Sequence, residues 1–229
     1  MSADDPLEGA PRELLAYLDS AARLATPALG IRPLDRAAAR EQALAIRQIP
    51  LGQQLGLVPL EDANNSRPHC YITQGPATGM ILLFNSGDGQ PLRYGTLAAF
   101  VAALEQAVRN GIHIEAMQGG ALCAIPDQAQ LAVRLLAALS EPPREAEAAV
   151  ETLLPLLDPD NLEVLTTLGS HRNFLIRESV ALYLKQNPRV ACEELAKLLA
   201  ADQYGQVARP AAEAAKLIRR AKAAARGYK

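Results

Sequence analysis

The sequence predicts an α+β protein: a small, mainly antiparallel sheet with flanking helices comes first, and an all-α, helical-repeat-like domain follows. Strand-forming residues are concentrated between residues 55 and 94, where short apolar runs alternate with turns rich in Gly, Asn and Asp. The flanking segments are rich in Ala and Leu at helical spacing. Helical patterns near the C-terminus recur at an offset of roughly 31 residues, which favours stacked helical hairpins over an ordinary helical bundle.

The composition is that of an ordinary globular protein. Of the 229 residues, 49% are hydrophobic and 21% are charged, which is enough to bury a sizeable core. The 23 Lys and Arg nearly balance the 25 Asp and Glu, so the net charge of -2 gives no general reason to expect nucleic-acid binding. Aromatic residues make up 4% and Trp is absent, which disfavours a surface built on the stacking of bases or sugars.

Three features favour the cytoplasm as the location. Cys70, Cys123 and Cys192 are odd in number and widely spaced, so they predict neither a disulfide framework nor a metal site. The first residues, MSADDPLEGAPRE, are acidic and lack the apolar run of a secretory signal. The sequence also contains no run of the roughly 18 apolar residues that a membrane span needs.

Breakers and periodicity place the elements of the first domain, which we expect to cover 1–118. Helices are expected from Pro11 and over 35–49. The predicted strands cover 55–60, 69–73, 80–84 and 92–94. Thr96 is the expected N-cap of a helix over 97–109, and Gly111 is its expected stop. Residues 112–116 are expected to form a further strand or an extended connector.

The second domain, expected over 119–229 after Gly119-Gly120, is predicted to be almost entirely helical. The predicted helices cover 128–139, 145–157, 162–168, 174–186, 190–200 and 207–225. Phe174 and Tyr204 occupy matching positions of the weak repeat, since each follows a polar turn and precedes an Ala-rich helix.

Four motifs follow one another in the central stretch. They are Val58-Pro59-Leu60, Cys70-Tyr71-Ile72, Gly75-Pro76 with the apolar run over 79–84, and the segment from Tyr94-Gly95-Thr96 into a helix that contains Phe100. On these residues the stretch, about a quarter of the chain, resembles the SUKH superfamily, which includes a yeast regulator of cell-wall synthesis and many bacterial immunity proteins. The Leu-Pro and Gly-Gly pieces that precede this stretch in the family are not evident between Pro11 and Ile49.

The C-terminal half carries a different set of motifs: Asp158-Pro159-Asp160, the helical segment over 176–181, Asn187-Pro188, and the segment over 195–202. On these residues it resembles HEAT-like and leucine-rich-variant helical repeats. Both resemblances imply interaction modules without a catalytic centre, so we expect no enzyme activity, no cofactor and no metal.

The residue types that could support catalysis, phosphate binding or metal binding are better explained by structural roles. His69 and Cys70 are adjacent in a predicted strand, so their side chains should point to opposite faces and cannot act together. The Gly87-Asp88-Gly89 turn lacks the Lys-Ser/Thr of a phosphate-binding loop. His113 and Glu115 share a face if that segment is extended, but a metal site would need further ligands.

The sequence predicts a non-enzymatic protein-binding module, and by resemblance one form is an immunity protein that neutralises a partner toxin. The acidic turn residues Glu61, Asp62 and Asp88 are the expected docking residues. The alternative is a scaffold or regulatory adaptor that uses a helical-repeat surface. A less favoured hypothesis is that the chain binds nucleic acid through a basic patch on the last helix. That patch comprises Lys216, Arg219, Arg220 and Lys222.

Overall fold

The computed structural model describes residues 5–62, 67–85, 91–117, 119–123 and 125–227. It divides into two compact units, Met1–Ala124 and Ile125–Lys229, whereas the sequence placed the boundary after residue 118. The first unit combines helices with a small antiparallel sheet and the second is helical, so the predicted α+β fold class is confirmed.

The described part of the first unit contains a four-stranded antiparallel sheet in the order β1-β2-β3-β4. The strands are β1 (Val58–Pro59), β2 (His69–Tyr71), β3 (Ile81–Leu83) and β4 (Leu92–Tyr94). Each lies within a segment that the sequence predicts to be extended. The first three are shorter than predicted, and residues 55–57 precede β1 instead of extending it.

Among its described residues the first unit also contains four α-helices: α1 (Arg12–Ser20), α2 (Arg36–Ile46), α3 (Pro50–Gln54) and α4 (Leu97–Asn110). The Asp35 side chain caps α2 by accepting a hydrogen bond from Ala38 N, and Thr96 Oγ1 caps α4 by accepting from Ala99 N at 3.1 Å. The helix predicted over 35–49 is present as α2, but it ends earlier, at Ile46, and Pro50 then begins α3. Residues 112–116, which were expected to form a further strand or an extended connector, instead contain a 3₁₀ turn, Ile114–Ala116.

Cross-strand pairing gives the sheet two buried faces. Val58, Tyr71, Ile81 and Tyr94 oppose one another in a single row across the four strands. Antiparallel partners share a face, and all four belong to the core cluster that includes side chains of α1 and α4. On the other face, Cys70 pairs with Leu82, and both are fully buried. Cys70 is therefore a small core residue, which agrees with the structural role that the sequence favours for it.

Within residues 125–227 the second unit consists of three helical hairpins. The hairpins are α5 (Gln128–Ala138) with α6 (Pro143–Leu153), α7 (Leu162–Gly169) with α8 (Phe174–Gln186), and α9 (Glu193–Ala200) with α10 (Gly205–Gly227). The second helices pack in the order α6-α8-α10, and the first helices pack in the order α5-α7-α9. The hairpins are therefore stacked in two layers.

The stacking follows the period of the sequence repeat. The second helices begin at Pro143, Phe174 and Gly205, at intervals of 31 residues. The Phe174 and Tyr204 rings, which are 30 residues apart and lie at the starts of α8 and α10, stack with their centroids 4.6 Å apart. Arg177 bonds Asp202 through both Nε and Nη2, at 2.6 and 3.2 Å, and joins the same two hairpins. Equivalent positions of successive second helices therefore lie side by side.

Candidate partner-binding surfaces

The exposed face of α8 carries two leucines around a carboxylate. Leu175 and Leu182 are 38% and 42% exposed. They are seven residues apart, which places them on one stripe of the helix, and Glu178 lies between them. The opposite side of α8 is buried against its neighbours through Ile176, Val180 and Leu184. We call Leu175, Glu178 and Leu182 the α8 stripe.

Glu178 is a partly desolvated carboxylate at the centre of this stripe. Desolvation raises the pKa of Glu178 above its ordinary value. In the described part of the chain it has no cationic partner. The stripe therefore combines apolar contact area with a negative charge that a cation from outside could neutralise.

The border of the α8 stripe toward α10 is a salt bridge. Lys185 Nζ lies 2.5 Å from a carboxylate oxygen of Glu213 on α10. One turn beyond Glu213 is Leu217, which is 37% exposed. The surface thus has apolar area on both sides of Glu178 and a polar border toward α10, and a polar rim is typical of protein–protein interfaces.

The predicted basic patch on α10 divides into two parts. Lys222 forms a short ion pair with Glu193 on α9, which neutralises it. Lys216, Arg219 and Arg220 are exposed and have no carboxylate partner among the described residues. Arg209, which the sequence analysis did not single out, is also exposed and without such a partner. We call Arg209, Lys216, Arg219 and Arg220 the α10 basic stripe.

Of the three predicted acidic docking residues, the structure describes Glu61 and Asp62. Glu61 is fully buried, so it cannot be a surface docking residue as the structure stands. Its Oε1 accepts hydrogen bonds from the backbone N of His69, at 2.8 Å, and from His69 Nδ1, at 2.9 Å. Asp62 remains partly exposed, and Asp88 lies outside the described residues.

The buried Glu61–His69 pair influences the groups around it. Burial, and secondarily the Glu61 carboxylate, raise the pKa of Tyr17 and of the Cys70 thiol. The His69 ring packs against Phe100 with centroids 5.2 Å apart. Glu61 Oε2 is buried and has no hydrogen-bond partner in the described part of the chain. Both residues of this pair are buried, at the β1 edge of the sheet.

The described residues hold no group of three or more His, Cys, Asp or Glu placed to bind a metal ion. All three cysteines are free thiols, with Cys70 and Cys192 buried and Cys123 exposed. Across the described ranges, every helix is too short or too polar to cross a membrane.

One cleft of about 260 Å³ lies beside the N-terminal segment of the first unit. Arg47 borders it and donates from Nη2 to the backbone oxygens of Pro6 and Gly56, at 3.1 and 3.3 Å. Asp5 forms an ion pair with Arg40 at 2.5 Å. These bonds tie the N-terminal segment to α2 and to Arg47 at its end, so Asp5 and Arg47, two of the charged residues of the cleft, already bond to other parts of the protein.

The sequence analysis did not identify two surface features, although the spacing of residues in the sequence indicates both. Leu175 and Leu182 are seven residues apart in a helix whose opposite side is already apolar. One buried stripe is enough to pack such a helix, so these two additional leucines are expected to be exposed. Arg209 and Lys216 are also spaced by seven, and Lys216 and Arg220 by four, which places all three on one face of α10.

No protein-family model, no curated protein and no solved structure matches this chain.

Proposed function

We propose that the chain is a non-enzymatic protein-binding module and that it binds its partner through the α8 stripe. The single observation that carries this proposal is the pair of exposed leucines, Leu175 and Leu182, around the partly desolvated Glu178. Exposed leucines at this spacing offer apolar area to a partner, and the carboxylate between them provides specificity.

The chemistry of the stripe defines the partner segment. It fits an amphipathic helix or strand that presents apolar side chains around one Lys or Arg, because that cation would pair with Glu178 when the apolar contacts exclude water. The helices α6, α8 and α10 begin 31 residues apart and pack side by side, which supports a rigid platform for such a segment. This agrees with the HEAT-like resemblance and favours the scaffold or adaptor reading.

The immunity reading rests on the SUKH resemblance of the first unit. The order of four strands followed by α4 is compatible with that resemblance. In that reading the partner is a toxin, and the identity of the captured protein distinguishes a toxin from a client of an adaptor. The three free thiols support a reducing, cytoplasmic location.

The test compares two leucine substitutions on different layers of the second unit. Leu182→Glu places a charge in the α8 stripe, whereas Leu198→Glu places the same charge on α9 at a position that is 60% exposed. Full-length bait is used to capture partners from native lysate at moderate salt. We expect Leu182→Glu to reduce retention of the specific partner at least tenfold and Leu198→Glu to leave it unchanged.

The same positions can be probed directly. A photoreactive residue at position 182 should crosslink to the captured protein, and one at position 198 should not. Equal loss of partner in both variants, or crosslinking from 198 alone, would show that the α8 stripe is not the binding surface.

A further inference from the structure

We propose that the α10 basic stripe binds the phosphate backbone of double-stranded nucleic acid, independently of the α8 stripe. Arg209, Lys216 and Arg220 lie at relative positions 0, 7 and 11 on α10, so each is within about 20° of a common line at about 100° per residue. Arg219 lies about 80° from this line, on the α9 side. Arg209, Lys216 and Arg220 therefore form one exposed line of cations, and Arg219 flanks it.

The charges on this face are available, unlike most others in the same unit. Arg177 is held by Asp202, Lys185 by Glu213, Lys197 by Glu193 and Glu194, and Lys222 by Glu193. The stripe cations have no such partner among the described residues. Binding a polyanion would thus cost no internal ion pair, and each phosphate neutralised would release condensed counterions.

The side chains between the cations favour phosphate over an acidic protein. Ala212 and Ala223 are exposed on the same face of α10, and they leave room for a backbone to approach closely. Glu213 lies about 40° from the line of cations and is paired with Lys185 of α8, and Leu217 lies about 80° from the line on that same side. Protein interfaces rely on a desolvated apolar or aromatic anchor at their centre, which this face lacks, whereas phosphate contacts need only the charges.

The same face argues against two other anionic partners. Insertion into an anionic lipid surface needs a free apolar helix face, but the apolar side of α10 is buried in the stack through Val207, Ala211 and Ile218. Single-stranded nucleic acid is gripped by aromatic stacking, and no aromatic residue lies between Arg209 and Arg220. Duplex backbone is the polyanion that remains.

The test titrates the full-length protein against a fluorescein-labelled 20-base-pair DNA duplex by fluorescence anisotropy, at several salt concentrations. With four phosphate contacts, log K should fall with log salt at a slope of about −3 to −4. Between 50 and 200 mM salt, the affinity should therefore fall about a hundredfold.

Two charge-matched variants identify the surface. One carries Arg209→Gln, Lys216→Gln, Arg219→Gln and Arg220→Gln. The control carries Arg36→Gln, Arg40→Gln, Arg189→Gln and Lys197→Gln, which removes the same charge from exposed, ion-paired positions. Circular dichroism verifies that both retain helical content. We expect the first variant to lose duplex binding and the control to keep it within about threefold of wild type.

Single substitutions keep the test decisive if a fourfold variant fails to fold. Arg220→Gln alone should reduce the salt slope by about 1, and Arg220→Lys should restore it. Four results would each overturn the proposal: no duplex binding at 50 mM salt, equal binding by the stripe and control variants, tighter binding of a single strand of the same length, or displacement of the duplex by polyglutamate or anionic phosphatidylserine vesicles at equal charge.

Discussion

Replacing Glu61 by Ala should destabilise the first unit more than any surface substitution. Glu61 is fully buried and accepts two hydrogen bonds from His69, from its backbone N and from Nδ1. Glu61→Ala removes both and leaves two buried donors without a partner. Each orphaned buried donor costs about 1–3 kcal/mol, so the two together cost about 2–6 kcal/mol. We therefore expect a loss of about 2–6 kcal/mol of unfolding free energy.

Two further substitutions show how much of this loss comes from the Glu61 charge and how it compares with the loss of an exposed carboxylate. Glu61→Gln retains an oxygen that can accept from the His69 backbone, so its cost should be smaller, about 1–3 kcal/mol. Asp19→Ala removes an exposed carboxylate that pairs with Arg36, and it should cost less than about 1 kcal/mol because solvent screens the pair. The predicted order of destabilisation is Glu61→Ala, then Glu61→Gln, then Asp19→Ala.

The cysteines allow this stability to be measured for each unit separately. Cys70 is buried in the first unit and Cys192 in the second, and burial raises the pKa of both thiols. Each should react with a pulse of thiol reagent only when its own unit unfolds. In a Cys123→Ser background, which removes the exposed thiol, mass spectrometry of the labelled peptides across a urea series gives one unfolding curve per unit.

The labelling curves also show which outcome would refute this reasoning. For Glu61→Ala we expect the Cys70 curve to move to markedly lower urea while the Cys192 curve stays in place. A Cys70 curve within about 1 kcal/mol of wild type would mean that the buried carboxylate does not support the sheet edge.

Three further predictions concern both units. Arg177 lowers the pKa of Asp202. The stability that this pair gives the helical unit should therefore be present above about pH 4 and be lost as the pH falls through the depressed pKa. In urea unfolding at several pH values, Asp202→Asn should remove this pH dependence. Desolvation disfavours the charged form of Glu178, so Glu178→Gln should leave the helical unit at least as stable at pH 7 in thermal denaturation. The same substitution should weaken capture of the partner. Capture equal to that of the wild type would contradict the role of the Glu178 charge. Gly111→Ala should cost about 1 kcal/mol through its positive φ of 62° alone, since its Cβ meets nothing within 4 Å; Gly56→Ala, whose Cβ would lie 2.3 Å from the Thr73 hydroxyl, should cost more, and a reversed order in urea unfolding would contradict the steric argument.

The elements that the sequence predicts well have local causes. The Thr96 cap and Gly111 stop of α4 depend on neighbouring residues, and the run Met80 to Phe84 is apolar enough to require burial on both faces. The α3 helix was missed because Pro50 reads as a stop, although proline is equally suited to the first position of a new helix.

The site residues depend on contacts between distant segments, which the sequence does not contain locally. Glu61 lies beside a turn-rich segment and reads as a surface carboxylate, but strand pairing brings His69 onto it. Lys222 reads as part of a basic patch, but Glu193, 29 residues earlier, neutralises it. Which charges remain available is therefore decided by packing and not by local composition.

The most direct test of the proposed function is the comparison of photocrosslinking from positions 182 and 198 in the full-length chain. Both leucines are exposed, but only Leu182 belongs to the α8 stripe. We predict a crosslink from position 182 to one specific protein, reduced by Glu178→Gln, and none from position 198. A partner that is captured at moderate salt but crosslinks from neither position, or only from position 198, would contradict binding through the α8 stripe.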